Sequence, residues 1–157
     1  MQWQATSLFF WLIFLLFCGT LRAETSQVAV RGYAVLSVDG TTLDEFYPVY
    51  FDSGQRPYLQ VENLLTEVLD FEKEDEIEML SSREVYFRDH KNRYFLDYSG
   101  RQAGEENQKI KLEPSAIIVR EGNTWLRYDQ FQSWVPLFVA WEVENTLLRV
   151  FPKYAGR

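Results

Sequence analysis

Apolar and polar residues alternate along most of this chain, in short runs that turn residues interrupt. Alternation with a period of two, rich in β-branched and aromatic side chains, is typical of half-buried strands. The pattern predicts the strands Tyr33–Val38, Phe46–Phe51, Ile77–Leu80, Glu84–Arg88, Arg93–Tyr98, Lys109–Leu112, Ala116–Arg120, Thr124–Tyr128, Val139–Val143 and Leu147–Phe151. Turn sequences such as Asp39-Gly40 predict hairpins between them. The polar stretch Ser99–Asn107, which contains two glycines, predicts a mobile loop.

Two segments carry apolar residues at helical spacing instead. In Glu62–Leu69 and in Asp129–Val135 the apolar side chains share one face, and Pro136 ends the second segment. Asp129 and Gln132 have the spacing of a capping box, which predicts side-chain hydrogen bonds at the start of that helix. Because helices of two turns are not stable alone in water, we expect each to pack on a neighbouring sheet.

Both helical segments lie within an internal repeat, in which each copy follows the order strand, turn, strand, short helix and hairpin. The matching positions are Tyr58 and Trp125, Leu59 and Leu126, Val61 and Tyr128, Glu62 and Asp129, Leu64 and Phe131, Val68 and Val135, and Phe71 and Phe138. The sequence therefore predicts an α+β fold, mostly β. We expect two similar units of antiparallel strands, each with one short helix packed on the sheet.

The amino-terminal residues indicate export. Leu8–Phe17 is a continuous apolar run, too short for a helix that spans a bilayer, which needs about 20 residues. Its length suits the hydrophobic core of a secretory signal, and Ala23 is an acceptable cleavage site. We predict a signal peptide over residues 1–23 and a single β-rich domain over residues 24–157. An uncleaved membrane anchor is the alternative, and a lipoprotein signal fits less well because bulky Phe17 precedes Cys18.

Composition limits how the domain is stabilised and what it binds. Cys18 is the only cysteine, so the predicted mature domain has no disulfide and must be stabilised by packing, to which its many aromatic residues contribute. The chain carries a net charge of −7, and removal of residues 1–23 would remove one positive charge, that of Arg22, leaving −8. Such acidity repels nucleic acid and anionic lipid and favours a basic protein partner.

Catalytic and metal-binding patterns are weak in this sequence. His90, the single histidine, lies in a predicted turn and has no second His or Cys with which to form a zinc site. The acidic run Asp70–Glu78 lacks the ligand spacing of a calcium loop, and its alternatives are a solvated loop or a docking patch for a basic partner. No nucleophile elbow occurs, which leaves paired carboxylates, as in glycosidases, as the enzymatic alternative. We predict a binding protein that uses no metal or cofactor, rather than an enzyme.

Several stretches resemble the periplasmic amino-terminal domain of outer-membrane usher-like proteins, which assemble pili with a chaperone. They are Tyr47–Phe51 with Arg56–Leu65, Asn92–Tyr98, and Asn123–Leu137 with Trp141–Val143 and Leu147–Pro152. The repeat also resembles the amino-terminal modules of copper amine oxidase-like type. Together these similarities cover about residues 30–153 and imply a location in the periplasm, or at the periplasmic face of the outer membrane, of a Gram-negative bacterium.

The resemblance implies that the domain recognises a periplasmic chaperone or the pilus subunit it carries. Ushers continue into a transmembrane barrel, whereas this sequence ends at Arg157, so the implied role is recognition without secretion through a pore. The alternative functions are a generic cell-envelope module that binds glycan or protein, and a small carboxylate-dependent hydrolase.

The candidate partner-binding residues come from two segments. Usher-like domains use an amino-terminal tail to contact the chaperone, and by position this implies Val28, Val30 and Tyr33. The alternative for these three is a disordered tail or an ordinary first strand. Tyr47 and Phe51 are candidates because the strand they bound is apolar on both faces, as expected of a central strand or of an edge strand that accepts another chain.

Overall fold

The computed structural model describes residues 29–153 except 75, 80–81 and 100, so the predicted signal peptide and Val28 lie outside the described residues. The strands are β1 (Val30–Val38), β2 (Thr41–Phe51), β3 (Pro57–Gln60), β4 (Glu72–Lys73), β5 (Ile77–Met79), β6 (Ser82–Arg88), β7 (Arg93–Asp97), β8 (Gln102–Glu105), β9 (Gln108–Lys111), β10 (Ile117–Arg120), β11 (Asn123–Arg127), β12 (Leu137–Glu142) and β13 (Leu147–Pro152). A π helix spans Asn63–Val68, and 3₁₀ helices span Pro114–Ala116 and Tyr128–Ser133.

The strands form two sheets. Sheet A has the order β10-β11-β3-β2-β1-β13-β12, and sheet B has the order β4-β6-β7-β8-β9, with β5 also paired to β6. All pairings are antiparallel except that of β1 with β13, which runs parallel with Val35 opposite Leu147 and Val38 opposite Val150. The first strand therefore lies between its hairpin partner β2 and the last strand.

One apolar core contains side chains from both sheets and from the helices. Leu59 and Leu126 contribute from sheet A, Val85 from sheet B, and Leu64 and Phe131 from the helical segments. Since successive side chains of a strand point to opposite faces, the neighbours of Leu59 and Leu126 lie on the other face of sheet A. Two of these neighbours, Tyr58 and Trp125, form a second, smaller buried cluster with Tyr50 of β2.

The predicted mostly-β character is confirmed, and each of the ten predicted strands overlaps an observed one. The predicted mobile loop over Ser99–Asn107 is wrong in its centre, because Gln102–Glu105 forms β8 between β7 and β9. In β8 only Ala103 and Gly104 are buried. A strand with no β-branched or aromatic residue carries no recognisable alternation.

Both predicted helices are helical but neither is a regular α-helix, and the predicted capping box is wrong. The Tyr128–Ser133 helix has no side-chain capping hydrogen bond at its start. Asp129 instead accepts hydrogen bonds from the guanidinium of Arg127, at 2.7 Å from Nε and 2.9 Å from Nη2. The buried arginine therefore outcompetes the backbone for this carboxylate.

Candidate protein-binding surface

The hairpin formed by β1 and β2 extends past β3. β3 pairs with β2 only at Tyr50 and Phe51, and residues Thr41–Phe46 of β2 are all exposed. The turn at Asp39 and Gly40 suits the hairpin because both residues adopt a positive φ, 48° and 82°, as such tight turns require. This half of β2 therefore contributes little to the core and offers its side chains to solvent.

Exposed apolar side chains concentrate on this hairpin. Phe46 is 70% exposed, Tyr33 56% and Leu43 55%. The rings of Tyr33 and Phe46 meet edge-on with centroids 6.5 Å apart, a geometry that aromatic pairs favour. We call Tyr33, Leu43 and Phe46 the hairpin patch.

Acidic residues border the hairpin patch. Asp44 and Glu45 are exposed neighbours of Phe46, and neither forms a salt bridge with any residue that the structure describes. One oxygen of Asp44 accepts a hydrogen bond from the backbone N–H of Phe46 at 2.8 Å, which leaves the second oxygen available. An apolar centre with an acidic rim complements a partner surface that is apolar and basic.

Two of the predicted site residues lie on the opposite side of sheet A from Tyr33. Val30 is 62% exposed and pairs with Phe51 across β1 and β2, on the side that faces the core. Phe51 is half-buried, and its ring fills the space in which a Cβ of Gly32 would stand, at 2.7 Å. The structure thus brings Val30 and Phe51 together and separates them from Tyr33.

Tyr47 is a core residue. It is 4% exposed, its hydroxyl donates a hydrogen bond to Asn63 Oδ1 at 2.9 Å, and burial, with a smaller effect of the Asp44 charge, raises its pKa. The predicted role of Tyr47 in contacting a partner therefore does not agree with its position, because its ring is covered. Phe46 points to the other face and is the exposed aromatic of this pair.

The sequence reasoning missed Phe46 and Leu43. The signal that could have found Phe46 is its parity with Tyr50: residues 46 and 50 fall on one face of a strand, and residue 47 on the other. Two register irregularities between β1 and β2, around Leu36, hide the pattern, because each shifts which residue faces the core. Bulges and charges also discourage addition of a further strand at an edge, so the exposed face of the hairpin is the better docking surface.

A buried arginine holds the outer face of sheet A together. Arg127 has only 2% of its surface exposed, and its guanidinium binds Glu113 at 2.5 Å and Asp129 at 2.7 Å. Arg127 donates hydrogen bonds to both carboxylates. These hydrogen bonds, chiefly the one to Asp129, raise the pKa of Arg127. Because the guanidinium is paired with two carboxylates of the same fold, Arg127 is a structural residue.

The other candidate chemistry has structural explanations. His90 lies in the β6–β7 turn at the edge of an open cleft of about 650 Å³ lined by polar side chains. Among the described residues no group of three His, Cys, Asp or Glu side chains could hold a metal ion.

The acidic run forms β4 and β5 in part, and its Glu74 binds Arg88 at 2.6 Å and also Arg93. Burial opposes ionisation of Glu74, but hydrogen bonds from Arg93 and Arg88 outweigh it and lower its pKa.

Comparisons with protein-family models, with curated proteins and with solved structures found no match to this chain. Within residues 29–153, apart from the gaps given above, no helix has the length and apolar character needed to cross a membrane.

Proposed function

We propose that this protein is an exported cell-envelope domain that binds another protein through the hairpin patch, and that its partner is a chaperone–subunit complex of the chaperone–usher pathway. The signal peptide predicted over residues 1–23 would deliver it to the periplasm. The resemblance of residues 30–153 to usher amino-terminal domains supports this class of partner, and the protein acts without cofactor.

The exposed Tyr33–Phe46 pair is the observation that carries the proposal. Large apolar side chains that stand exposed together, rather than singly, are a feature of interaction sites. Aromatic residues are also the ones that most often dominate binding energy when a partner covers them. The hairpin patch offers two rings and a leucine on a two-stranded element, with an acidic rim that would steer a basic partner.

We further infer that the domain consists of two similar units. Equivalent positions of the internal repeat meet at the β3–β11 pairing, where Leu59 lies opposite Leu126. On either side of this pair, Tyr58 lies opposite Arg127 and Gln60 lies opposite Trp125. Exchanging the two copies of the repeat turns one of these pairs into the other. This arrangement is the one expected if two copies of a hairpin and helix associate about an approximate two-fold axis. Burial of both Leu64 and Phe131 in the common core supports the packing of each helix on the sheet.

The substitution Phe46→Ser tests the proposed function. Loss of one buried aromatic anchor costs about 2 kcal/mol or more, so we expect roughly 30-fold weaker binding of a purified chaperone–subunit complex to the full chain, measured by calorimetry. Phe138→Ser is the matched control, because Phe138 is also an exposed aromatic (44%) but lies on β12. The control should bind like the unmodified chain.

Two results would contradict the proposal. If the unmodified chain fails to bind chaperone–subunit complexes, the assigned class of partner is wrong. If it binds but Phe46→Ser and Phe138→Ser behave alike, the hairpin patch is not the surface used. Circular dichroism of both variants should match that of the unmodified chain, because Phe46 and Phe138 are both exposed and neither belongs to the buried core.

A further inference from the structure

A second cavity lies where the two sheets meet, away from the hairpin patch. It has a volume of about 230 Å³ and is lined by residues from β3, the β5–β6 hairpin, the end of β7 and the β10–β11 hairpin. We call it the junction pocket, and its lining includes Gln60, Glu62, Glu76, Arg83, Tyr98 and Asn123. Its size is below the about 300–1,000 Å³ of pockets that hold drug-sized ligands, so it suits one small ring.

The charges of the junction pocket cancel in pairs. Glu62 binds Lys73 Nζ at 2.8 Å, and Arg83 binds Glu76. An ionic ligand would therefore have to compete with an existing ion pair for either carboxylate or for the guanidinium. A neutral ligand needs no such exchange, because paired carboxylates and guanidinium groups retain lone pairs and N–H groups for further hydrogen bonds.

Tyr98 supplies the apolar surface and a hydroxyl. The guanidinium carbon of Arg83 lies 5.9 Å from the centre of the Tyr98 ring. The side chain of Thr124 forms a hydrogen bond with the side chain of Tyr98. Burial raises the pKa of Tyr98 to about 12, so its phenol keeps its proton at neutral pH and remains a hydrogen-bond donor. The ring is thus fixed by Arg83 and Thr124 before any ligand arrives.

Planar polar groups line the same pocket as this ring. Gln60 and Asn123 contribute amides, each with donors and an acceptor, beside the carboxylates and the guanidinium. Adjacent hydroxyl groups of a sugar match such groups, since each hydroxyl both donates and accepts. We propose that the junction pocket is a binding site for one ring of a neutral saccharide, with the amides and ion pairs bound to its hydroxyl groups and Tyr98 against its apolar face.

Calorimetric titration of the full chain with neutral oligosaccharides of glucose and of N-acetylglucosamine tests the proposal. We expect binding of at least one of them, weakened roughly tenfold by Gln60→Ala, because an amide that makes two hydrogen bonds is lost. Asn123→Ala should give a similar loss. Gln102→Ala is the matched control, because Gln102 is a partly buried glutamine on β8, which does not line the pocket, and it should leave binding unchanged.

Three results would overturn the assignment. One is the absence of binding by both oligosaccharide series. Another is binding that Gln102→Ala weakens as much as Gln60→Ala does, which would indicate a general loss of stability. The third is tighter binding of a polyamine such as spermidine, or of citrate, than of either neutral sugar. Since these measurements involve neither a chaperone nor the hairpin patch, their outcome is independent of the proposed function.

Discussion

At the scale of single residues, Gly104 in β8 occupies a position that accepts no side chain. Its φ is +153°, and a Cβ placed on its backbone would lie 1.8 Å from the carbonyl oxygen of Gln108. The close approach comes from the backbone of the β8–β9 hairpin itself, so no side-chain rotation could relieve it. Gly122 also has a positive φ, +76°, but nothing lies within 4 Å of the position that its Cβ would take.

We predict that Gly104→Ala lowers the free energy of unfolding by more than about 3 kcal/mol, because the hairpin must open to admit the methyl group. Gly122→Ala should lower it by only about 1–2 kcal/mol, the cost of a left-handed conformation for alanine. Urea denaturation of the full chain measures both values. Equal losses in the two variants would show that conformational strain, and not the contact with Gln108, explains the effect.

Individual side chains were the part of the site that the sequence predicted least well. Tyr33, a candidate that the resemblance implied by position, is exposed, whereas Tyr47, a candidate from the apolar strand, is buried. The hydrophobic pattern did not show whether Tyr47 or Phe46 faces the core, because residues 46–51 are apolar on both faces and packing between distant residues decides which face is covered. It also gave no sign that Arg127 is buried, since its partner Glu113 lies on a separate segment.

At the scale of elements, the pairing of β3 with β11 brings together two segments that the sequence predicts to be equivalent positions of a repeat. Leu59 and Leu126 are directly opposite one another, and both are completely buried. Directly opposed residues in an antiparallel pair have Cβ atoms about 4.5–5.5 Å apart. The two leucines therefore lie side by side in the core, and both are fully buried.

We predict that Leu59→Ala and Leu126→Ala each lower the free energy of unfolding by about 2–5 kcal/mol. The double variant should deviate from the sum of the two by about 0.5 kcal/mol or more, because adjacent residues share their surroundings. Leu59→Ala combined with Leu148→Ala is the control. Leu148 lies on β13, three strands from β3, so those two losses should add; coupling of the same size in both pairs would argue against a direct contact between the copies.

The existence of the strands was predictable from the alternation of apolar and polar residues, whereas the kind of helix was not. The spacing of apolar residues placed both helical segments correctly, but hydrophobic spacing alone does not distinguish α, π and 3₁₀ geometry. β3 was not predicted as a separate strand, because Pro57–Gln60 is short and almost wholly buried. Strands that are covered on both faces lose the alternation that identifies them.

At the scale of the whole molecule, buried phenols make stability depend on alkaline pH. Burial raises the pKa of Tyr94 from 10.0 to about 12 and that of Tyr98 to about 12, and it also raises the pKa of Tyr47. Each folded phenol therefore holds its proton at a pH where the unfolded chain has released it. The corresponding stability is complete below pH 10 and is lost as the pH rises towards the folded value.

We predict that the free energy of unfolding falls steeply between pH 10 and about 12. Tyr94→Phe should make this fall shallower, because it removes one of the groups that titrate. Urea denaturation at a series of pH values, with tyrosinate absorbance followed in parallel, measures the dependence. A slope that Tyr94→Phe leaves unchanged would contradict the assignment to this residue.

The overall class of the fold was predictable, but the order of strands in sheet A was not. Hairpins between neighbours in sequence follow from turn residues, and the β10–β11 pairing is of this kind. The parallel pairing of β1 with β13 joins segments that are far apart in sequence, and nothing local specifies it. Only the need to cover both apolar strands within one core selects that arrangement.

This parallel pairing has a consequence for the order in which the molecule can form. During synthesis β1 emerges first and β13 last among the described strands, so one side of β1 has no neighbour until Leu147–Pro152 has been synthesised. Contacts between distant segments form slowly because closing a long loop costs entropy. A chain that cannot complete sheet A early stays unfolded longer, and its unpaired strand edges are open to pairing with other chains during that time.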